Sequence, residues 1–398
     1  MDASNDFDVI VVGGGPAGAT AATDLAKAGR AVLLLDRAGR IKPCGGAIPP
    51  RLIDQFDVPG SQLVARVNAA RMISPRAAKG TIPIKDGFVG MVDREHFDEW
   101  LRVRAVAAGA ARRDGTFEAL TRDEGGVRVH YRPKGADRKA PLATVRAKAV
   151  IGADGARSAG GRHEIDGAER VPCVFAYHEI IRSPQPSPDV FDRRRCDVIY
   201  QGNLSPDFYA WVFPHGDTTS IGVGSAVKGF SLRDAVGRLR EQGGFEQAET
   251  VRCEGAPIPL KPLKRWDNGR DILLAGDAAG VVAPASGEGI FYAMTGGRLA
   301  AEAMDAFCRT GDVRELRTAR RRFMRVHGPV FWILGMMQRY WYTDDNRRER
   351  FVSICRDRDV QELTFDAYMN KELVKARPLA HVRIFFKNLA HLSGVVPA

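Results

Sequence analysis

A chain of 398 residues, 44% of them hydrophobic and 8% aromatic, is long enough for two domains and a large core, which excludes wholesale disorder. Its net charge is +11, from 59 Lys and Arg against 48 Asp and Glu, yet no apolar run approaches the roughly 20 residues of a membrane span, so no bilayer crossing is expected. Cys44, Cys173, Cys196, Cys253, Cys308 and Cys355 show neither CxxC nor Cys/His ligand spacing, and neither a secretory leader nor room for a transit peptide precedes the first strand; a reducing, cytoplasmic setting without structural metal is expected.

The apolar run Val9 to Gly13 reads as a strand and Ala17 to Ala28 as the helix it feeds, with Gly13-Gly14-Gly15-Pro16-Ala17-Gly18 between them. Gly13 permits the tight turn, Gly15 lets the backbone approach a pyrophosphate at the helix N-terminus, and Gly18 allows close helix packing. Gly29 is a natural helix stop, and Arg30 to Leu35 reads as a second buried strand. That strand ends in Asp36, about 20 residues past the glycines, where a carboxylate accepts a ribose hydroxyl. Pro16, Ala17 and Arg37 are counted with the same binding segment, and the unit as a whole predicts dinucleotide binding.

Strand-type alternation follows around 66 to 90, and Asp93 to Trp100 begins a return helix. Ala147 to Gly152 reads as another inward strand, which delivers Asp154, Gly155, Arg157 and Ser158. Between 171 and 260, Val174 to Ile181, Asp197 to Gln201, Phe208 to Phe213 and Ser220 to Ala226 read as an antiparallel sheet, expected to floor a substrate cavity. Ser231 caps a helix that Gly243-Gly244 stops, and Pro257 to Pro262 is a linker.

Asp271 to Ala275 is a further short strand, Gly276-Asp277 follows it directly, and Pro284 to Ile290, with Gly287 and Gly289, is expected to open a long small-residue helix. A carboxylate at that strand end suits a ribityl hydroxyl, and the next helix N-terminus stabilises negative charge on a reduced flavin ring, so the dinucleotide is read as FAD. The plainer reading of Asp277 is a turn or capping residue. The fold class is thus α/β, a discontinuous Rossmann-type FAD domain (1–65, 93–170 and 263–308) with an antiparallel-sheet substrate domain (66–92 and 171–262) and a helical C-terminal region (309–398).

From Thr310 onward 17 Lys and Arg stand against 10 Asp and Glu. Arg320, Arg321, Arg322 and Arg325 precede Val330 to Leu334, then Met336, Met337, Tyr340, Trp341 and Tyr342, and Arg347, Arg348 and Arg350 follow. Two readings stand: contact with an anionic membrane surface or a large apolar ligand, and a helical cap whose Trp and Met are core. No nucleic-acid module accompanies the charge, and no nucleic-acid partner is expected.

These pieces resemble the flavoprotein family that includes aromatic-ring hydroxylases and geranylgeranyl reductases, over most of residues 7 to 300. Asp154-Gly155 with Arg157 and Ser158 looks like that family's Asp-Gly element beside the flavin, and Arg94, in Arg-x-x-Phe-Asp, matches a flavin-contacting arginine. Lys42 to Pro49, with Cys44, Gly45 and Gly46 at its centre, is similar to the Cys-Gly-Gly segment of the geranylgeranyl reductases of the chlorophyll and bacteriochlorophyll pathway. Pro206-Asp207-Phe208-Tyr209-Ala210-Trp211-Val212-Phe213-Pro214 fits the P-x-x-Y-x-W-x-F-P pattern that these enzymes share with archaeal lipid reductases.

On a strand, Tyr209, Trp211 and Phe213 point to one face and form an aromatic wall suited to a polyisoprenoid chain; ordinary sheet core is the alternative, since Phe208, Ala210 and Val212 are also apolar. Cys44 is either a small residue in a Gly-rich turn or, beside a flavin, a thiol that donates a proton. The resemblance implies reduction of isolated double bonds of a geranylgeranyl chain, free as the diphosphate or esterified to a (bacterio)chlorophyll. NADPH would be the reductant for FAD, Cys44, Gly45 and Gly46 would lie at the catalytic centre, and the protein would touch an inner or photosynthetic membrane surface peripherally. No second strand-GxGxxG-helix unit exists, so the nicotinamide is expected to visit without a Rossmann domain of its own. A flavin-dependent aromatic hydroxylase and a non-catalytic prenyl-binding protein are the rival readings.

Overall fold

The computed structural model describes residues 6–37, 39, 41–84, 87–187, 189–358, 360–362 and 371. The chain forms two units: the first comprises Met1–Ile41, Glu95–Cys173 and Ile258–Gly328, the second Lys42–Arg94, Val174–Pro257 and Pro329–Ala398. The first opens with β1 (Asp6–Val12), α1 (Pro16–Lys27) and β2 (Val32–Asp36). The second then supplies β3 (Ala47–Ile48), α2 (Pro50–Gln55), β4 (Ala65–Val67), β5 (Ala69–Ile73), β6 (Lys79–Pro83) and β7 (Val89–Met91). Helix α3 (Arg94–Ala107) returns the chain to the first unit for β8 (Ala111–Asp123), β9 (Gly126–Pro133), β10 (Ala143–Gly152) and α4 (Ala159–Glu164). There follow β11 (Cys173–Arg182), β12 (Arg195–Ile199), β13 (Ala210–His215), β14 (Thr218–Ser225), α5 (Leu232–Gly243) and β15 (Thr250–Pro259), then β16 (Ile272–Leu274) and α6 (Ile290–Thr310), and last α7 (Arg317–Trp341) and α8 (Asp345–Ile354).

Parallel strands covered on both faces are continuously apolar, and the first unit obeys that rule: Val9, Ile10, Val11, Leu33 and Leu34 are wholly buried. β1 pairs in parallel with β2, Val9 opposite Val32, and with β10, Val12 opposite Gly152. β10 divides its length between two partners sets. Its first half, Ala143 to Ala147, pairs antiparallel with β9, and its last three residues pair in parallel with β16. β8 is divided likewise, Ala111 to Asp114 against β2 and the remainder against β9.

The second unit is built on a seven-stranded sheet in the order β15-β11-β14-β13-β12-β5-β6. The pairings β11–β14, β14–β13, β13–β12 and β5–β6 are antiparallel, as the sequence predicts, whereas β12 and β5 run parallel, Arg195 opposite Ala69, because β5 comes from a separate, earlier segment. Alternation assigns the faces. Ala210 and Val212 join Ile221 and Val223 under Ala235, Val236 and Leu239 of α5. Ser231 caps that helix by accepting from the Asp234 N–H, and Gly244 ends it in the left-handed conformation.

Three expectations shift. The strand predicted from Phe208 starts at Ala210, so Tyr209 stands just ahead of β13 although its carbonyl still accepts from the Gly224 N–H at 3.2 Å. The long helix opens at Ile290, not at Pro284, since Ala283 to Gly287 close a tight loop of their own. In the C-terminal region Trp341 and Tyr342 are buried while Trp332 is exposed, which splits a segment the sequence treats as one. Residues 363–370 and 372–398 of that region lie outside the described residues.

Candidate functional site

The predicted cofactor residues of the first unit converge through backbone that has no room for side chains. Gly13, at φ +105°, lies against the carbonyl of Ala153 and the amide of Asp154, so a Cβ there would strike main chain. Gly18 packs in the same way onto the Gly13 carbonyl. Downstream, Gly276 at φ +64° leaves 2.7 Å between its would-be Cβ and that of Ala17, and Gly297 on α6 meets the Ala17 carbonyl. The start of α1, the end of β10 and the turn after β16 are thereby drawn to one place by glycine alone.

Within this cradle Gly15 has no atom within 4 Å of a would-be Cβ, and neither has Gly155, at φ +92°. Gly15 is the N-cap of α1, extended and without a side-chain cap, and Pro16 begins the helix. The first turn of the helix, Ala17 included, is therefore left without a side-chain cap, which fits a pyrophosphate. Asp277 lies in the 3₁₀ turn Gly276–Ala279, and its Oδ1 is 3.7 Å from a Cβ built on Gly289, the N-cap of the 21-residue α6. Gly287, at φ +64°, closes the loop before that cap by donating to the Ala283 carbonyl at 3.0 Å. A carboxylate and a helix N-terminus thus stand together, as ribityl hydroxyls and a reduced isoalloxazine require.

Asp36 ends β2 with its carboxylate engaged: Oδ1 accepts from the Gly14 N–H at 2.9 Å and Oδ2 pairs with Arg102 at 3.2 Å. Arg102, on α3, also reaches the Gly14 carbonyl at 3.3 Å. It fixes both the glycine turn and the acid, and no local motif marks it. Arg37 is exposed next to Asp36. Asp154 accepts from the Ala159 N–H at 2.8 Å and so braces the start of α4. The residues fit a dinucleotide with a pyrophosphate at α1 and a ring at α6.

The second unit gathers the remaining candidates. Tyr209, Trp211 and Phe213 form a continuous row, with centroids 6.0 Å apart for the first pair and 6.3 Å for the second. Cys44, Gly45 and Gly46 sit at the Phe213 end. A Cβ on Gly45 would meet the Phe213 ring at 2.9 Å, and one on Gly46, at φ +70°, would strike the Val92 carbonyl and His215 Nε2. The Gly46 N–H donates to Cys44 Sγ at 3.4 Å, which aligns the thiol within the turn. His215 escaped the sequence reading: its Nδ1–H donates to the Phe213 carbonyl at 3.0 Å, and burial pushes its pKa down to about 4, so it is a neutral imidazole. Arg94 is buried at the first residue of α3.

The family described as an FAD binding domain matches residues 6–171. The chain is 57% identical, over 98% of both sequences, to a geranylgeranyl diphosphate reductase from Rhodobacter capsulatus. It is 36% identical to a geranylgeranyl diphosphate reductase from Synechocystis, over 96% of this chain and 97% of that one. Its fold matches that of a geranylgeranyl bacteriochlorophyll reductase-like protein from Thermoplasma acidophilum, with a TM-score of 0.82, 21% identity and 99% of each chain covered.

Proposed function

The chain belongs to the geranylgeranyl diphosphate reductase family of FAD-dependent oxidoreductases, and from that premise we propose that it reduces the isolated double bonds of a geranylgeranyl chain to phytyl, with NADPH as the source of electrons. The chain is carried as the diphosphate or as the ester of a (bacterio)chlorophyll. The observation that carries this reading is the seating of the Cys44–Gly46 turn at the Phe213 end of the aromatic row. FAD, when bound, would supply the hydride chemistry for one alkene carbon.

The protein's own residues do the rest. Gly15, Ala17 and the α1 N-terminus would hold the pyrophosphate, Asp277 and the α6 N-terminus would hold the ribityl and ring end, and Arg102 keeps Asp36 and the glycine turn in register. Tyr209, Trp211 and Phe213 orient a flexible chain and exclude water from it. An isolated alkene is a poor hydride acceptor, so a proton must reach the second carbon in the same step, and Cys44 is the group we assign to hold it. Incubation with FAD, NADPH and geranylgeranyl diphosphate or geranylgeranylated pigment is expected to raise the product mass by two hydrogens per reduced bond. An unchanged mass with both substrates, from flavin-loaded protein, overturns the reading.

The same proposal places the protein against an anionic membrane surface through α7. Trp332, Met336 and Tyr340 recur at four-residue spacing and are 66%, 47% and 41% exposed. Arg347 lies 4.5 Å over the Tyr340 ring, which adds positive charge to the apolar stripe. No helix among the described residues is long and apolar enough to cross a membrane.

A further inference from the structure

One buried polar chain in the second unit takes no part in the chemistry above. It crosses four neighbouring strands on one face of the seven-stranded sheet. The indole N–H of Trp211 on β13 donates to Ser220 Oγ on β14 at 3.0 Å. Ser220 Oγ lies 2.9 Å from His178 Nδ1 on β11, and His178 Nε2 lies 3.1 Å from Glu254 Oε2 on β15. Arg252, two residues earlier on β15, holds the other Glu254 oxygen at 3.2 Å. Ser220 and His178 are 0% and 2% exposed, so the middle of the row is sealed from water while its Glu254 end is partly exposed.

With a single proton on the His178 ring, the protons fit this row in one order. An indole nitrogen only donates, so Ser220 accepts there and gives its own proton to His178 Nδ1. The imidazole is then the Nε2–H tautomer and donates to Glu254. Each N–H and O–H along the row has its acceptor, and none is left to pass to a bound molecule. With Ser220 inaccessible, the Ser–His–Glu order does not serve nucleophilic attack either. What the row does is hold the indole.

Gly222 explains how. It stands opposite Trp211 on one side and His178 on the other in the strand register, and a Cβ there would run into the indole and into the His178 Cβ. The indole therefore lies across Gly222 with its N–H edge at Ser220. A flipped ring would bury an unmatched N–H, which disfavours it.

We propose that Ser220, His178 and Glu254 are positioning residues that fix the Trp211 indole in one orientation and so determine how far along the prenyl chain reduction proceeds. This rests on Trp211 belonging to the substrate wall. The test compares Ser220→Ala, Glu254→Ala, Glu254→Gln, Trp211→Phe and Trp211→Ala, each as flavin-loaded full chain, by two readouts. The indole N–H resonance of ¹⁵N-labelled protein reports orientation without turnover, and product masses report the number of double bonds reduced.

Ser220→Ala is expected to displace the Trp211 resonance and to raise the share of partly reduced products about tenfold, with Glu254→Ala acting in the same direction and Glu254→Gln, which keeps an acceptor oxygen, remaining like wild type. An unmoved resonance in Ser220→Ala overturns the proposal. A displaced resonance with wild-type products also overturns it, and Trp211→Ala then decides the wall: partly reduced products from that variant leave the wall standing, whereas wild-type products remove it too. Should Ser220→Ala not fold, Trp211→Phe makes the product test, because it deletes the N–H and keeps a ring; wild-type products from it overturn the positioning role.

Discussion

In the first unit the positions that shape the cradle, Gly13, Gly18, Gly276 and Gly297, are places where one added methyl would collide with backbone or with a neighbouring Cβ. In the second unit the comparable positions are large rings, Tyr209, Trp211 and Phe213, buried to 9% exposure or less in the first two cases. On the proposed function, one half would bind by removing side chains so that main-chain dipoles reach a charged group, and the other by adding them so that an apolar chain meets a continuous surface. The two halves should consequently fail differently when altered, and the variants below are chosen to expose that difference.

The largest effect is expected for Gly13→Ala, which places a methyl against the Ala153 carbonyl at a φ of +105°. Flavin occupancy should fall about 100-fold, or ~3 kcal/mol, as read by flavin absorbance per mole of folded protein. Trp211→Ala should leave occupancy and NADPH-driven flavin reduction within about twofold while cutting alkene turnover about tenfold or more. Truncating so buried an aromatic costs about 3 to 5 kcal/mol, so the comparison is made on folded, flavin-loaded protein. Loss of flavin from the Trp211 variant would break the separation of the two halves.

How each half is read from sequence follows from the same contrast. A backbone that must turn, approach a pyrophosphate and pack a helix prescribes residue types at fixed offsets, which is why the strand, glycines and helix around Gly13–Gly18 are legible within some thirty residues. Arg102 is not legible, because it meets Asp36 from 66 positions away and no spacing announces it. In the second unit alternation puts Ala210 and Val212 on the face opposite Trp211 and Phe213, and the structure packs that face under α5, yet the sequence starts the strand at Phe208, two residues too early. Ser220, His178 and Glu254 come from three different strands, so their relation to Trp211 exists only in the sheet register. Composition likewise cannot separate Trp332 from Trp341, since the burial of Trp341 depends on Phe351 of α8, 6.1 Å away.

A pH experiment sharpens the picture of the second unit. His215 is held neutral by burial, with a folded pKa of about 4 against an ordinary 6.5. The unfolded chain binds the extra proton first, so stability is full above about pH 6.5 and declines as the pH falls toward 4. Wild type should lose ~2 kcal/mol more than His215→Gln between pH 7 and pH 4.5 in denaturant titrations. Equal losses would show that burial does not hold the imidazole neutral.

The smallest effect is expected at the surface. Trp332→Ala should weaken binding to anionic vesicles about fivefold at low salt, and wild-type binding should itself fall steeply as salt is raised. Salt-independent partitioning onto neutral and anionic vesicles alike would return α7 to an ordinary helical cap.

The division of β10 between an antiparallel neighbour and two parallel ones sets the order in which this polypeptide can mature during translation. β16, which covers the β10 edge at Val150 to Gly152, is made only after β11 to β15, which lie almost wholly in the other unit, have left the ribosome. Until then the apolar edge at Val150 and Ile151 is open to pairing with any passing strand. A ribosome that stalls between Gly152 and Ile272 leaves a nascent chain exposing a sticky, unclosed sheet, so uninterrupted elongation or a holding chaperone is part of what this interleaved order of segments demands of the cell.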